Sequence, residues 1–210
     1  AKAEAVLTAH LQASPNFRGI RSAFPADLND TFLAGFALLE KYDLSYDNWS
    51  PDFTRLPRLA DLANQCPSVT VIVNHLGGRI DPHADNDEIK AWESAIDAVA
   101  ACSNTVMKLG GAQMRVGEWE PPYHMHQAES PWASDKFLDT LLSRYQYAME
   151  VFGPERCMFE SNFPVDKDCI SYGSLWNLFK KIAKRLGLSE AEKKSVFSGT
   201  AARAYRLQTP

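Results

Sequence analysis

The feature that most constrains the fold is an uninterrupted β-branched run, Val-Thr-Val-Ile-Val at 69–73. β-Branched side chains are stiff at χ1 and favour strands over helices. The run shows no alternation of apolar and polar residues, so neither face of the strand is expected to meet solvent. A strand buried on both faces is typical of a parallel sheet covered by helices. The run therefore predicts an α/β fold with this segment inside the sheet.

Strand-like and helix-like segments alternate along the 210 residues. Strands are predicted near 18–21, 44–47, 69–74, 105–109 and 156–161. This alternation predicts parallel βαβ units, closed either as an open doubly wound sheet or as a (β/α)₈ barrel. No glycine-rich phosphate-binding motif follows a strand, which disfavours the nucleotide-binding folds. A complete barrel takes about 250 residues and eight strands, more than this chain provides.

Composition limits the partners that we expect. The formal net charge is -4, whereas a nucleic-acid-binding protein needs a basic face. No apolar run approaches the roughly 20 residues that span a bilayer. The four cysteines show no C-x-x-C spacing, which predicts reduced thiols in a cytoplasmic protein. We therefore expect a small-molecule partner, with no nucleic acid and no membrane.

The segment 156–167 contains the strongest candidate for a functional strand end. Its apolar run, 157–159, ends in polar residues that include Glu160 and Asn162, and Pro164 prevents further strand pairing. Asp166 follows two residues later. Active sites of α/β proteins lie at the carboxyl ends of strands, so these side chains are catalytic candidates. The alternative is an ordinary strand end capped by polar loop residues.

His75 is the best candidate among the histidines. It follows the strand at 69–74 and precedes the pair Gly77-Gly78, so its ring should emerge at the strand's carboxyl end. An imidazole there can bind a metal, act as a base or polarise a carbonyl. The alternative is a histidine that is hydrogen-bonded into the rim of the sheet.

Two cations and a tryptophan lie near other predicted strand ends. Lys108 interrupts an apolar strand and Arg21 ends another, which indicates a cationic rim for a carboxylate-bearing ligand. The alternative for Lys108 is salt bridging to acids such as Glu160 or Asp166. Trp49 can line a pocket, although aromatic residues are more often packing residues.

Residues 112–133 show no clear periodicity and form a long insertion of the kind that is often functional. It contains His124-x-His126, which has the spacing of a metal pair, and Trp119, a further pocket candidate. The histidine pair lies in a polar loop and does not follow a strand, so it is a weak candidate for a metal site.

Five strings resemble the amidohydrolase-related ("amidohydrolase 2") family of TIM-barrel metal-dependent hydrolases. In order they are Phe-Arg-Gly-Ile-Arg at 17–21, Asn-His-Leu-Gly-Gly at 74–78, Val-Met-Lys-Leu-Gly-Gly at 106–111, Phe-Gly-Pro-Glu-Arg-Cys-Met-Phe-Glu-Ser-Asn-Phe-Pro-Val-Asp-Lys at 152–167 and Gly-Thr-Ala-Ala-Arg-Ala-Tyr-Arg-Leu at 199–207. The resemblance implies a (β/α)₈ barrel of which this chain covers strands four to eight. It also implies a lactonase-like hydrolase with one divalent metal, zinc.

Two departures from the family pattern affect these expectations. The His-x-His pair that ends strand one in the family is absent here, which predicts one barrel domain over 1–210 that lacks its N-terminal strands. A homo-oligomer or a missing N-terminal segment would complete such a barrel. The family's metal-binding aspartate is replaced by Asn162, a weak and uncharged ligand, so metal binding should be weak or absent. Asp166 is a candidate substitute for that aspartate. Some family members also carry a histidine after strand five; this sequence has no counterpart, and Asp52 is the nearest candidate.

The resulting hypothesis is a hydrolase of a small carboxylated ester or lactone. The catalytic candidates are His75, Asn162 and Asp166, the substrate-binding candidates are Arg21, Trp49, Lys108 and Glu160, and the metal candidates are His75 and Asn162. His75 would orient or polarise the carbonyl, Asn162 would hold water or the oxyanion, and Asp166 or Glu160 would act as base. The alternatives are a decarboxylase of the same family and a non-catalytic barrel remnant that needs a partner chain.

Overall fold

A computed structural model describes residues 2–25, 27–81, 83–112, 114 and 133–207. Within them lies one five-stranded sheet whose order follows the chain and whose neighbouring strands are all parallel. The strands are β1 (Gly19–Ala23), β2 (Ser45–Trp49), β3 (Val71–Val73), β4 (Thr105–Leu109) and β5 (Cys157–Phe159). A doubly wound sheet would reverse its strand order at a switch point. The sequential order therefore favours the barrel-type winding, while the assignment to barrel strands four to eight stays a prediction.

Helices connect and cover the strands. They are α1 (Lys2–Ala13), α2 (Asp30–Lys41), α3 (Leu56–Gln65), α4 (Asn86–Ala100), α5 (Ser134–Phe152), α6 (Tyr172–Arg185), α7 (Glu190–Lys194) and α8 (Thr200–Ala204). Several start at side-chain caps: the side-chain Oδ1 of Asn29 accepts from the Phe32 amide at 3.0 Å. A capping box starts α7, with Ser189 and Glu192 satisfying each other's backbone amides. A π-helical turn, Ser195–Gly199, joins α7 to α8.

The strand ends differ from the prediction in ways that matter for the site. β1 continues to Ala23, so Arg21 lies in the middle of this strand and does not end it. β3 stops at Val73, because His75 turns into the left-handed region with φ of 56°. Trp49 is the last residue of β2, whereas the sequence indicated a loop position.

The two faces of the sheet carry different side chains. One face packs into the main core with the helices, through residues such as Tyr46, Val71 and Met107. The opposite face, called here the α8 face, has an apolar floor where Ile72 and Met158 pack against Ala204 of α8. Parallel register pairs Arg21 with Asp47, Asp47 with Ile72, and Lys108 with Met158. Paired residues in a parallel sheet share a face, so these three polar residues belong to the α8 face.

Two expectations from composition can be compared with the fold. All four cysteines are free thiols, as predicted. Burial raises the pKa of the Cys157 thiol far above its ordinary value, so this cysteine is a packing residue and not a nucleophile. In the part of the chain that the structure describes, no helix is both long and apolar enough to cross a membrane.

Candidate functional site at the carboxyl ends of the strands

The turn after β3, Asn74–Gly78, holds its residues in a conformation that is unusual for side-chain-bearing residues. His75 and Leu76 have φ of 56° and 53°, and Gly77 follows with φ of 80°. Such values outside glycine are uncommon and persist only where the surroundings fix them. Here the Gly77 amide donates to the Asn74 carbonyl at 3.1 Å, and the indole N–H of Trp92 donates to the Leu76 carbonyl at 3.0 Å. The turn therefore presents the His75 ring in one fixed orientation.

The His75 imidazole lies between a carboxylate and a guanidinium. Its Nδ1 is 2.5 Å from Oε1 of Glu160, and its Nε2 is 3.3 Å from Nη2 of Arg21. These two atoms are close, but their angle is unsuitable for a hydrogen bond. Each is therefore a buried polar atom without a hydrogen-bond partner among the described residues. A guanidinium can only donate, so the Nε2 that faces it carries the lone pair and Nδ1 carries the hydrogen. This is the neutral tautomer that can act as a base at Nε2.

Arg21 and Trp49 form the open side of the site. The Arg21 guanidinium lies over the Trp49 ring, 5.4 Å from its centroid, and the edge of that ring meets His75 with centroids 5.0 Å apart. Arg21 is exposed, and within the described ranges it has no carboxylate partner. A cation held by an aromatic face and a neutral imidazole remains available to an anionic ligand.

Lys108 is held much more firmly. Its ammonium donates to Oδ2 of Asp47 at 2.8 Å and lies 3.8 Å from Oε2 of Glu160. The Tyr205 hydroxyl donates to the same Asp47 oxygen at 2.7 Å, and the Lys108 ammonium sits 5.4 Å from the centre of the Tyr205 ring. Burial first, and then the Asp47 charge, raise the pKa of the Tyr205 hydroxyl far above its ordinary value, so it remains a donor. Of the two alternatives for Lys108, the structure shows an ion pair.

Asn162 and Asp166 form a separate pair beside this network. Asn162 has φ of 51°, and its Nδ2 donates to Oδ1 of Asp166 at 2.7 Å. Asp166 is 1% exposed, and burial raises its pKa to about 7, with the Glu160 charge adding to the rise. The hydrogen bonds from Asn162 and from the Gly111 amide oppose that shift. Asp166 is thus a buried carboxyl that exchanges its proton near neutral pH.

The glycine pair after β4, Gly110-Gly111, lets the backbone approach His75 and Glu160 closely. A Cβ on Gly111, which has φ of +73°, would lie 2.9 Å from the Cγ and Nδ1 atoms of His75. A Cβ on Gly110 would meet the Glu160 backbone. Gly111 therefore contacts the His75 ring on one side, while its amide interacts with Asp166. This connects the network to the Asn162–Asp166 pair at the same end of the sheet.

The structure thus brings five of the seven predicted site residues into one network and places the other two beside it. The five are Arg21, Trp49, His75, Lys108 and Glu160. Asp52 is not part of the site, because its carboxylate caps a short turn by accepting from the Thr54 amide at 3.0 Å. Trp119, His124 and His126 lie outside the described residues.

Sequence reasoning missed two members of the network, Asp47 and Tyr205. Asp47 had a signal, because it interrupts a buried segment in the same way as Lys108 interrupts β4. Tyr205 had none, since it lies 158 positions from its partner in the sequence.

The predicted metal ligands do not fit a metal centre within the described part of the chain. His75 directs Nε2 at a guanidinium, and Asn162 uses its amide nitrogen on Asp166. No group of three or more histidine, cysteine, aspartate or glutamate residues suited to a metal occurs among the described residues.

Comparisons with known proteins agree with the fold. Over 216 residues the chain is 32% identical to the uncharacterized protein y4mH of Sinorhizobium fredii (strain NBRC 101917 / NGR234), covering 96% of this chain and 65% of that protein. It is 29% identical over 182 residues to the L-fucono-1,5-lactonase of Burkholderia multivorans (strain ATCC 17616 / 249), covering 85% of this chain and 57% of the lactonase. The chain thus spans less than two thirds of the length of these curated relatives.

A solved structure extends the likeness to three dimensions. The crystal structure of an amidohydrolase from Burkholderia multivorans with bound zinc matches with a TM-score of 0.76 and 25% identity, over 98% of this chain and 71% of that one. The family model described as amidohydrolase matches residues 6–207. Since that match takes in nearly the whole sequence, including every residue of the His75 network, the chain belongs to the amidohydrolase family.

Proposed function

We propose that this site hydrolyses a small carboxylated ester or lactone. The observation that carries the proposal is the His75 imidazole, with Glu160 at Nδ1 and the exposed Arg21 at Nε2. A carboxylate behind one ring nitrogen stabilises the imidazolium that forms when the other nitrogen takes a proton. The fixed turn after β3 keeps that second nitrogen directed at the open side of the site.

Arg21 gives the site a way to couple substrate binding to base activation. Its guanidinium is exposed and contacts a neutral acceptor, so a substrate carboxylate is a stronger partner for it than His75 Nε2. When Arg21 turns to the substrate, the Nε2 lone pair is free to accept a proton from water. Trp49 supplies an apolar wall beside the bound ligand.

The reaction then follows ordinary acyl chemistry. Water attacks the carbonyl carbon while His75 Nε2 accepts its proton, and the carbonyl electron pair becomes an oxyanion. The oxyanion is stabilised by hydrogen-bond donors. The Lys108 ammonium and the second N–H of the Asn162 amide are the donors that we assign to it. Collapse of the intermediate breaks the C–O bond, and the leaving alkoxide takes the proton back from the imidazolium. A lactone gives one hydroxy acid, and an ester gives an acid and an alcohol.

One of the relatives supports the lactone part of this substrate class. One curated relative is a lactonase, which opens a cyclic ester. The zinc-containing neighbour supports divalent metal use in the family. Each step is assigned to a side chain of this chain.

The proposal is tested by measuring proton release from a panel of sugar lactones, carboxylated lactones and their neutral methyl esters. His75→Asn and Glu160→Gln should each reduce kcat/KM for the best carboxylated substrate by at least about 100-fold, as expected for a general base. His10→Asn, in the last turn of α1, where the ring stacks on Phe17, is the matched control and should leave the rate unchanged. Full activity in His75→Asn, or no hydrolysis of any panel member by the wild-type protein, would refute the proposal.

A further inference from the structure

We propose that Tyr205 is a positioning residue for this site: its hydroxyl fixes the Asp47 carboxylate, and Asp47 in turn aims the Lys108 ammonium at Glu160. The effect on turnover rests on the proposed function, whereas the positioning itself does not. Tyr205 thereby joins the segment 200–207 to a site whose other residues lie on the strands or directly after them.

The fold delivers Tyr205 to the site through α8. This helix lies across the α8 face of the sheet, where Ala204 packs with Ile72 and Met158. Tyr205 follows directly and is partly buried against the same cluster. Its ring therefore stands between the apolar floor and the charged residues above it.

Contacts at both ends hold the segment in place independently of the Tyr205 hydroxyl. Thr200 donates its hydroxyl to the Glu155 carbonyl at 2.8 Å, just before β5. Arg206 donates to the Arg18 carbonyl at 2.8 Å, just before β1. The segment thus links the two outer strands of the sheet. Removing the hydroxyl alone should leave the ring where it is, so the variant Tyr205→Phe isolates one hydrogen bond.

The hydroxyl acts on a single shared oxygen. Oδ2 of Asp47 accepts from Tyr205 at 2.7 Å and from Lys108 at 2.8 Å. Two donors on one carboxylate oxygen fix the rotation of the Asp47 side chain, because neither bond survives a turn of the carboxylate. Without the tyrosine donor, the carboxylate can rotate, and the Lys108 ammonium moves with it.

Lys108 transmits this constraint to the reacting part of the site. The ammonium lies 3.8 Å from Oε2 of Glu160, whose other oxygen contacts His75. If the ammonium moves, the orientation of the Glu160 carboxylate changes with it. The electrostatic stabilisation that Glu160 gives to the protonated His75 ring then changes as well. Tyr205 itself lies outside the contacts of His75, so its loss should lower kcat and leave KM nearly unchanged.

The first test is a double-mutant cycle on kcat with Tyr205→Phe, Asp47→Asn and the double variant. Tyr205→Phe should lower kcat about tenfold, the order expected from one hydrogen bond to a charged group. If the tyrosine acts through Asp47, it should have no further effect in the Asp47→Asn background. Tyr147→Phe removes a matched hydroxyl, which donates to Asp97 at 2.8 Å between α4 and α5, and should leave kcat unchanged. Independent, multiplying losses in the cycle would overturn the inference.

The second test needs no turnover. The rate at which acetic anhydride acetylates Lys108 is followed by peptide mass spectrometry in the wild type, Tyr205→Phe and Tyr147→Phe. An amine reacts only when it is neutral and accessible, so loosening of the Asp47 pair should raise the Lys108 rate at least about threefold in Tyr205→Phe alone. An unchanged rate in a folded Tyr205→Phe protein would overturn the inference. If the wild type hydrolyses no lactone, the proposed function fails, and this readout still decides the role of Tyr205.

Discussion

The sharpest quantitative prediction concerns Asp166, whose buried carboxyl should make the protein less stable as the pH rises. Asp166 is 1% exposed, and its Oδ2 has no hydrogen-bond partner among the described residues. Burial raises its pKa from 3.8 to about 7. The native state therefore holds this proton more tightly than the unfolded chain does. Between these two pKa values folding takes up a proton, and stability falls as the pH increases.

The size of the effect follows from the two pKa values. Each pKa unit corresponds to about 1.4 kcal/mol, so the free energy of unfolding lost to Asp166 approaches about 4 kcal/mol above pH 7. At pH 5 the same linkage costs roughly 2 kcal/mol, because the carboxyl of the unfolded chain is already mostly ionised there while that of the native state is not. An asparagine carries no such proton. The free energy of unfolding of Asp166→Asn, relative to wild type, should therefore rise by roughly 2 to 3 kcal/mol from pH 5 to pH 8.

Urea unfolding followed by far-UV circular dichroism at pH 5, 6, 7 and 8 measures this difference. Any constant gain or loss from the new amide cancels in the comparison across pH, since only the slope is predicted. Asp61→Asn, at an exposed position of α3, is the matched control and should show no comparable slope. A relative stability of Asp166→Asn that is flat or that falls with pH would refute the reasoning.

Three further predictions address the turn, the glycine contact and the cation. Trp92→Phe removes the donor to the Leu76 carbonyl and should destabilise the protein by about 1 to 3 kcal/mol, as measured by urea unfolding. Gly111→Ala places a methyl group 2.9 Å from the His75 ring at a φ of +73°, so kcat for the best lactone should fall at least about tenfold in steady-state assays. Arg21→Met should raise KM for a carboxylated lactone about tenfold or more and leave KM for its methyl ester unchanged, as the same assays would show.

Local patterns in the sequence were sufficient to predict the sheet and the end of it where the candidate site lies. The β-branched run at 69–73 and the apolar run at 157–159 each became a buried strand, because two-sided burial leaves few alternatives for such segments. The polar residues that follow them were placed correctly at the strand ends for the same reason. The end of β1 was predicted at Arg21, whereas the strand continues to Ala23 and Arg21 lies in its middle. β1 is an outer strand of the sheet, with one neighbouring strand to limit its length.

The partners of the site residues could not be predicted, since they depend on contacts between distant segments. Lys108 pairs most closely with Asp47, which the sequence did not suggest, and at 3.8 Å with Glu160, which it did. Tyr205 reaches that pair from the far end of the chain. The Gly77-Gly78 signal indicated a turn after β3, but the left-handed conformation of His75 itself depends on the long-range contact from Trp92 to this turn.

Charge balance in the network explains why the two cations should have different roles. With a neutral His75, the positive charges of Arg21 and Lys108 offset the negative charges of Asp47 and Glu160. Lys108 lies between both carboxylates, so a substrate anion that displaced it would leave a buried carboxylate unpaired, at a cost of several kcal/mol. Arg21 gives up only a contact with a neutral ring nitrogen. We therefore expect the substrate carboxylate to bind Arg21. A neutral lactone should leave the guanidinium in contact with His75 Nε2, so that this nitrogen cannot accept a proton. It follows that discrimination between carboxylated and neutral lactones should appear in kcat as well as in KM, which a simple electrostatic attraction to the site would not produce.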